Sequence, residues 1–164
     1  MTKKLMNNRG ISLIELIVTM TILSILALLV LPSAQMAMKR NREMELRRSL
    51  RLVRTAIDEY KKNYDQAVAE KKLTPSTDSS GYPETLEVLV DGYDFGGLVN
   101  YKKKFLRRIP VDPFNPPKPG EKPEWGLRSY KDEPDSEIWG GEDVYDIYSL
   151  SKETAIDGTK YRDW

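Results

Sequence analysis

Residues 16–38 read LIVTMTILSILALLVLPSAQMAM and contain no charged residue over 23 positions. At about 1.5 Å of rise per residue, a helix of this length measures roughly 35 Å, which is enough to cross a hydrocarbon core of about 30 Å. The rest of the chain is too short and too polar to surround such a helix as a buried core. This stretch therefore predicts a helix that enters a membrane, and it decides the fold.

Beyond residue 38 the apolar positions become periodic, with spacings of four, three, four, three and four residues. They are Leu46, Leu50, Val53, Ile57, Tyr60 and Tyr64. This is the spacing of one helix face packed on a partner. We therefore expect one helix from about Ser12 to about Leu73, interrupted only at Pro32, which lacks a backbone donor.

The remaining residues, 74–164, predict a small head. The segment TPSTDSS at 74–80 has the composition of a loop, and residues 82–90 form a short amphipathic stretch with Leu86, Leu89 and Val90 as its apolar side. Six of the ten prolines fall in 110–123, which favours an extended loop. Residues 125–131 and 144–150 predict two strands, rich in residues with high strand propensity. The expected class is α+β, with a long N-terminal helix, membrane-spanning in its first half, packed on a small antiparallel sheet.

Composition excludes several kinds of chemistry. The chain has 26 basic and 25 acidic residues, a formal net charge of +1, no cysteine and no histidine. Disulfides, thiolate nucleophiles, nearly all zinc sites and Ser-His-Asp triads are therefore excluded. No phosphate-binding or dinucleotide-binding glycine pattern is present. We expect neither an enzyme nor a nucleic-acid partner, and we interpret the basic cluster at 102–108 as a solvated surface.

Three interpretations of the apolar segment compete: a cleaved secretory signal, a plain anchor of an enzyme, or a helix that assembles. The first two predict cleavage near Ala34 or Ala37, or no cleavage. Against them, the helical pattern continues past residue 38, and Glu15 lies at the start of the apolar stretch. A carboxylate in hydrocarbon is costly, by about 2.5–3.5 kcal/mol at the bilayer centre. Glu15 therefore predicts a cationic partner in the membrane plane.

The residues Arg9-Gly10-Ile11-Ser12-Leu13-Ile14-Glu15-Leu16 resemble the leader junction of the type IV pilin superfamily. The resemblance implies that a prepilin peptidase cuts between Gly10 and Ile11 and that the new N-terminus is methylated. It makes Glu15 the fifth residue of the mature chain, the position that the family reserves for glutamate. It also places Pro32 where family members have a helix-breaking proline that melts during assembly. The implied domains are a leader (1–10), an assembly helix (11–38), its amphipathic continuation (39–73) and a head (74–164).

Four segments of the head resemble the major pseudopilins of type II secretion: Gly81-Tyr82-Pro83, the run IPVDPF at 109–114, WGLRSY at 125–130 and DVYDIYS at 143–149. The resemblance implies a subunit that polymerises through its N-terminal helix into a periplasmic filament. A type IV pilus or competence pilin, serving adhesion, motility or DNA uptake, is the alternative. The implied partners are other copies of the chain, minor pseudopilins, the peptidase, an inner-membrane assembly platform and lipid.

The resemblance also implies a location: a single-pass protein of the bacterial inner membrane with a cytoplasmic N-terminus and a periplasmic head. Basic residues flank the apolar segment on both sides, so the positive-inside rule alone leaves the orientation open. No cofactor is expected. Many such pseudopilins bind calcium in an acidic C-terminal loop, but residues 151–164 offer only Glu153, Asp157 and Asp163, without an adjacent aspartate pair. We assign no calcium ligands.

Overall fold

The computed structural model describes residues 12–75 and 79–164, including all of their side chains except those of residues 29–33. Its elements are α1 (Leu13–Ala69), α2 (Leu86–Asp91), β1 (Gly126–Arg128), β2 (Asp146–Tyr148) and a final 3-10 turn, Tyr161–Asp163. The chain forms two compact units, Met1–Arg40 and Asn41–Trp164. The predicted α+β class, a long N-terminal helix packed on a small antiparallel sheet, is confirmed.

In the second unit, α1 buries one face against the head. The expected stripe residues Leu46, Leu50, Val53, Ile57 and Tyr60 are all buried, and Tyr64 packs half-buried against them. The core of the described chain is one cluster that lies wholly within this unit. Tyr60 is at its centre, with its ring 5.4 Å from that of Tyr93 and 5.2 Å from that of Phe95.

The helix ends four residues earlier than expected. Lys71 adopts a left-handed backbone conformation with φ of 56°, and the backbone N–H of Lys72 donates to the carbonyl of Ala67 at 2.8 Å. This bond satisfies a carbonyl at the helix end and turns the chain away. A lysine in this role gives no glycine or proline signal, so the sequence pattern overestimated the length of the helix.

The expected interruption at Pro32 is also absent, since the described backbone is helical through that residue. One missing donor leaves the bonds of neighbouring turns in place.

The sheet consists of two antiparallel strands in which Gly126 faces Tyr148 and Arg128 faces Asp146. Each strand has three residues, fewer than predicted. After β1 the backbone N–H groups donate to side-chain carboxylates and not to the carbonyls of the neighbouring strand. The N–H of Ser129 donates to the carboxylate of Asp132 at 2.7 Å, and that of Tyr130 donates to Asp143 at 2.9 Å. These bonds end β1 and begin the long turn that precedes β2. No strand occurs in the described residues of the proline-rich segment 110–123, as expected.

Candidate functional site in the N-terminal helix

The first unit exposes an apolar surface. From Leu13, which is 79 % exposed, to Leu28, at 71 %, the described side chains of α1 are exposed to solvent. A helix that is apolar on every side requires an apolar environment, which lipid or other helices can supply. No helix within the described part of the chain combines the length and the apolar character that a membrane crossing requires.

The start of α1 positions Glu15 in the first helical turn. The hydroxyl oxygen of Ser12 accepts a hydrogen bond from the backbone N–H of Glu15 at 3.2 Å, and its carbonyl accepts from Leu16 at 3.1 Å. Serine is among the preferred residues for capping a helix start. A carboxylate in the first turn also interacts favourably with the positive end of the helix dipole. Among the described residues Glu15 forms no ion pair, and its side chain is exposed.

Three hydroxyl side chains within the apolar stretch form hydrogen bonds inside the helix itself. The hydroxyls of Thr19, Thr21 and Ser24 donate to the carbonyls of Leu16, Ile17 and Met20 at 2.9, 2.8 and 2.8 Å. Such bonds to the preceding turn leave no free hydroxyl donor. These three hydroxyls can therefore enter an apolar environment without losing a hydrogen bond to protein.

The predicted processing residues Gly10 and Ile11 lie outside the described residues. Pro32 lies within α1, but its side chain is not described. Of the predicted processing and assembly residues, the structure thus describes the side chain of Glu15 alone.

Arg54 joins α1 to the head and was not anticipated from the sequence. Its guanidinium donates to the carboxylate of Asp146 at 2.6 and 3.3 Å, to the carbonyl of Ile147 at 3.1 Å and to that of Trp164 at 2.8 Å. A planar guanidinium suits this forked geometry. One side chain of α1 therefore fixes β2 and the last residue of the chain.

Glu43 and Arg47 hold the C-terminal segment in a similar way. One carboxylate oxygen of Glu43 accepts bonds from the N–H of Ile156 at 2.8 Å and from the hydroxyl of Tyr161 at 2.9 Å. Arg47 lies 4.1 Å from the ring centre of Trp164. Burial and the adjacent Glu43 raise the pKa of Tyr161, so its hydroxyl remains a donor. These contacts bind the last residues to α1.

A sequence signal for these contacts exists. Positions 43, 47, 50, 54 and 57 are spaced four, three, four and three residues apart, the same period as the apolar stripe. The charged members of this row therefore lie along the edge of the buried face. Their position marks them as candidates for contacts with the head, although it does not identify the partners.

The motif Pro110-Val111-Asp112-Pro113-Phe114 is structural. Asp112 is buried, and its carboxylate accepts bonds from the N–H of Phe114 at 2.8 Å and from the hydroxyl of Ser149 at 2.6 Å. The ring of Phe114 stacks on Tyr161 with centres 4.0 Å apart. The motif thus connects the proline-rich loop to the segment after β2.

The acids considered for calcium are dispersed. Asp157 accepts bonds from both the N–H and the hydroxyl of Thr159, which lower its pKa, and lies 3.5 Å from Arg47. Asp163 lies 3.5 Å from Arg162, and Glu153 is exposed. Within residues 12–75 and 79–164, no group of three or more acids is placed to hold a metal ion.

Comparison with known families supports the prediction that the chain begins with a prepilin-type leader. Residues 5–31 match the family model of the prokaryotic N-terminal methylation motif. Neither a curated protein nor a solved structure matches the chain. The match begins in the predicted leader and ends within the apolar helix, and it indicates a leader of the type IV pilin-like kind over these residues. The coarser part of the sequence-based interpretation is thereby confirmed.

Proposed function

We propose that this chain is a pseudopilin of a type II secretion system, a structural subunit that polymerises through its N-terminal helix. The observation that carries the proposal is the exposed apolar surface from Leu13 to Leu28, which lies within the methylation motif. The four head segments that resemble major pseudopilins favour secretion over a pilus. The proposed role is physical: the subunit binds its neighbours and catalyses no reaction.

In the proposed cycle, a prepilin peptidase removes residues 1–10 and the amine of Ile11 is methylated. The uncharged run 16–38 first anchors the subunit in the inner membrane, with the head in the periplasm. An assembly platform and minor pseudopilins then pass the subunit from lipid into a periplasmic filament. Pro32 is proposed to permit local rearrangement of the helix in that step.

Glu15 is proposed to select the position of each incoming subunit. In an apolar bundle its carboxylate is costly unless a cation lies beside it. The amine at Ile11 of a neighbouring subunit is such a cation. The carboxylate of Glu15 and this amine lie side by side at only one axial position of the incoming subunit. The exposed carboxylate of Glu15, which forms no ion pair with the residues that the structure describes, supports this assignment.

N-terminal sequencing of the mature protein tests the proposal most directly. We expect a chain that starts at Ile11, with 154 residues, when the full chain is coexpressed with a prepilin peptidase. Gly10→Val should abolish the mobility shift, whereas Gly10→Ala should retain it. A mature chain starting near residue 34 or 37, or an unprocessed one, contradicts the proposal.

The choice between secretion and a pilus requires a second assay. Deletion of the gene should abolish the release of secreted proteins and leave surface adhesion and DNA uptake unchanged. The reverse result supports a pilus or competence pilin.

We further propose that the role needs no cofactor, and a rise in the melting temperature of the purified protein on addition of calcium would contradict this.

A further inference from the structure

Three tyrosine rings beside the sheet form an exposed surface, which we call the tyrosine cluster. The ring centre of Tyr82 lies 5.8 Å from that of Tyr130 and 5.1 Å from that of Tyr145, and the latter two are 5.4 Å apart. Tyr130 and Tyr145 remain 60 % and 45 % exposed. Because the rings contact each other, they lose little conformational entropy when a partner binds. The cluster is therefore a preformed binding surface.

The hydroxyls of the tyrosine cluster are free hydrogen-bond donors. None of the three forms a hydrogen bond with the residues that the structure describes. Burial, followed by the neighbouring Tyr145 and Asp58, raises the pKa of Tyr82, so its hydroxyl stays protonated at neutral pH. A tyrosine hydroxyl usually finds a partner once it is buried. The ligand that fits this surface therefore has an apolar face and carbonyl acceptors.

A segment of that chemistry lies elsewhere in the second unit. Residues 115–119 (NPPKP), which we call the proline segment, are neither helix nor strand, and Pro116 and Lys118 are exposed. Three of the five residues precede a proline, a position that favours the extended polyproline II conformation. The carbonyls of Pro116 and Pro117 accept no hydrogen bond from the described residues. Aromatic surfaces bind such Pro-x-x-Pro segments because the ligand is ordered before it binds.

The two surfaces lie on opposite sides of α1. The ammonium nitrogen of Lys61 is 5.7 Å from the ring centre of Tyr82. On the other side, Lys122, which follows the proline segment, lines a groove together with Leu52 and lies 3.7 Å from Glu87 of α2. Leu52 and Lys61 are nine positions apart, about two and a half helical turns, so they point in opposite directions. The proline segment therefore does not cover the tyrosine cluster of its own chain.

The charges beside the two surfaces are complementary. Asp58, whose charge acts on Tyr82, is exposed and forms no ion pair among the described residues, whereas Lys61 pairs with Asp65. Lys118 is the one charged residue of the proline segment, and its ammonium forms no ion pair within the described part of the chain. Such an arrangement favours the pairing of opposite charges and disfavours other orientations.

We propose that the proline segment of a second copy of this chain binds the tyrosine cluster, with Pro116 and Pro117 against the rings and Lys118 beside Asp58. The tyrosine hydroxyls then donate to the proline carbonyls. The inference rests on the proposed polymerisation, because copies that pack through α1 can present opposite sides of that helix to each other. The two surfaces differ, so the contact is head-to-tail, and such contacts extend into a helical filament when they do not close into a ring.

Cross-linking of the full chain in its native host tests the contact. The chain has no cysteine, so each introduced thiol is the only one in its subunit. Asn115→Cys and Lys131→Cys flank the two surfaces and remove no residue of the contact. We expect a short bismaleimide to give dimers when these two subunits are coexpressed, and a ladder when both changes are in one chain. The matched control replaces Lys131→Cys by Tyr101→Cys, whose site is 67 % exposed, and should give no dimers.

An exchange of the two charges tests the orientation. Asp58→Lys and Lys118→Asp should each lower the yield of the mixed cross-link roughly tenfold or more, because each change places like charges side by side. The double variant restores opposite charges and should recover the yield. Both positions are exposed in the single chain, so none of these changes should lower the melting temperature of the head.

The outcomes separate this inference from the proposed function. Filaments without the mixed cross-link overturn the contact and leave the function intact. Mixed dimers without filaments overturn the function and retain the contact, and the absence of both overturns both. Dimers formed by Asn115→Cys alone, a double charge variant that does not recover the cross-link, or a cross-link to a different protein also contradict binding to the tyrosine cluster of a second copy.

Discussion

Replacing Arg54 by alanine should destabilise the head, because this side chain makes four hydrogen bonds to two separate segments. The ion pair with Asp146 is partly exposed, with side chains 35 % and 26 % accessible. Its contribution therefore lies between about 0.2–1 kcal/mol for surface pairs and about 3–5 kcal/mol for breaking buried ones. The carbonyls of Ile147 and Trp164 also lose their donor, at about 1 kcal/mol each. We expect a total loss of about 3 kcal/mol.

Thermal unfolding followed by circular dichroism measures this loss. The described buried hydrophobic residues all lie between Leu46 and Tyr161, so the soluble fragment 39–164 retains the core. For a domain of this size, a loss of about 3 kcal/mol lowers the melting temperature by roughly 10 °C. Arg51→Ala is the matched control, because Arg51 is exposed and, among the described residues, its side chain bonds only to the carbonyl of Arg47. It should cost less than about 0.5 kcal/mol.

Two further variants separate the charge of Arg54 from its geometry. Arg54→Lys keeps the charge but not the fork, so it should recover only part of the stability. Asp146→Asn removes the same ion pair as Arg54→Ala. The double variant should therefore lose less stability than the sum of the losses measured for the two single variants. If Arg54→Ala lowers the melting temperature no more than Arg51→Ala does, the contacts do not stabilise the head and the reasoning is refuted.

Three other predictions follow from the structure. Glu15→Val should leave membrane insertion intact but abolish filament assembly, whereas Glu15→Asp should assemble partly; equal shear yields of Glu15→Val and the wild type contradict the proposed pairing. Gly126→Ala should lower stability by about 1–3 kcal/mol, since its Cβ would lie 2.2 Å from the ring of Tyr148, and a melting temperature unchanged from that of the wild type would refute this. Burial raises the pKa of Tyr60, so the folded state keeps a proton that the unfolded state loses near pH 10. Above that pH, stability should fall by about 1.4 kcal/mol per pH unit for this residue, and urea titrations of Tyr60→Phe should show a shallower decline than the wild type.

The features that could be predicted from the sequence are those that depend on local periodicity. Leu46, Leu50 and Val53 are buried as their spacing predicts, because a helix face is set by its own repeat. The match over residues 5–31 likewise falls on a local motif with a fixed order of residues. For such features a short window of sequence contains the necessary information.

The features that were missed depend on pairs that are distant in the chain. Arg54 finds Asp146 and Trp164 about 90 and 110 positions later, and no local pattern identifies these partners. The strands were predicted too long for a related reason: strand propensity does not show that Asp132 and Asp143 take over the backbone donors after β1. The end of α1 at Ala69 was missed because a left-handed lysine, and not a glycine, turns the chain.

The hydroxyl bonds of Thr19, Thr21 and Ser24 have a consequence for the reversibility of assembly. Under the proposed function, the helix moves from lipid into a bundle of helices, and both surroundings lack water. Since these side chains keep the same internal partners in both places, the move requires no exchange of hydrogen bonds at these positions. The free energy of transfer then depends mainly on shape complementarity and on Glu15. At these three positions a subunit can therefore be added to or withdrawn from a filament without exchanging hydrogen bonds, so the work of the assembly machinery is needed at the packing surface and at Glu15.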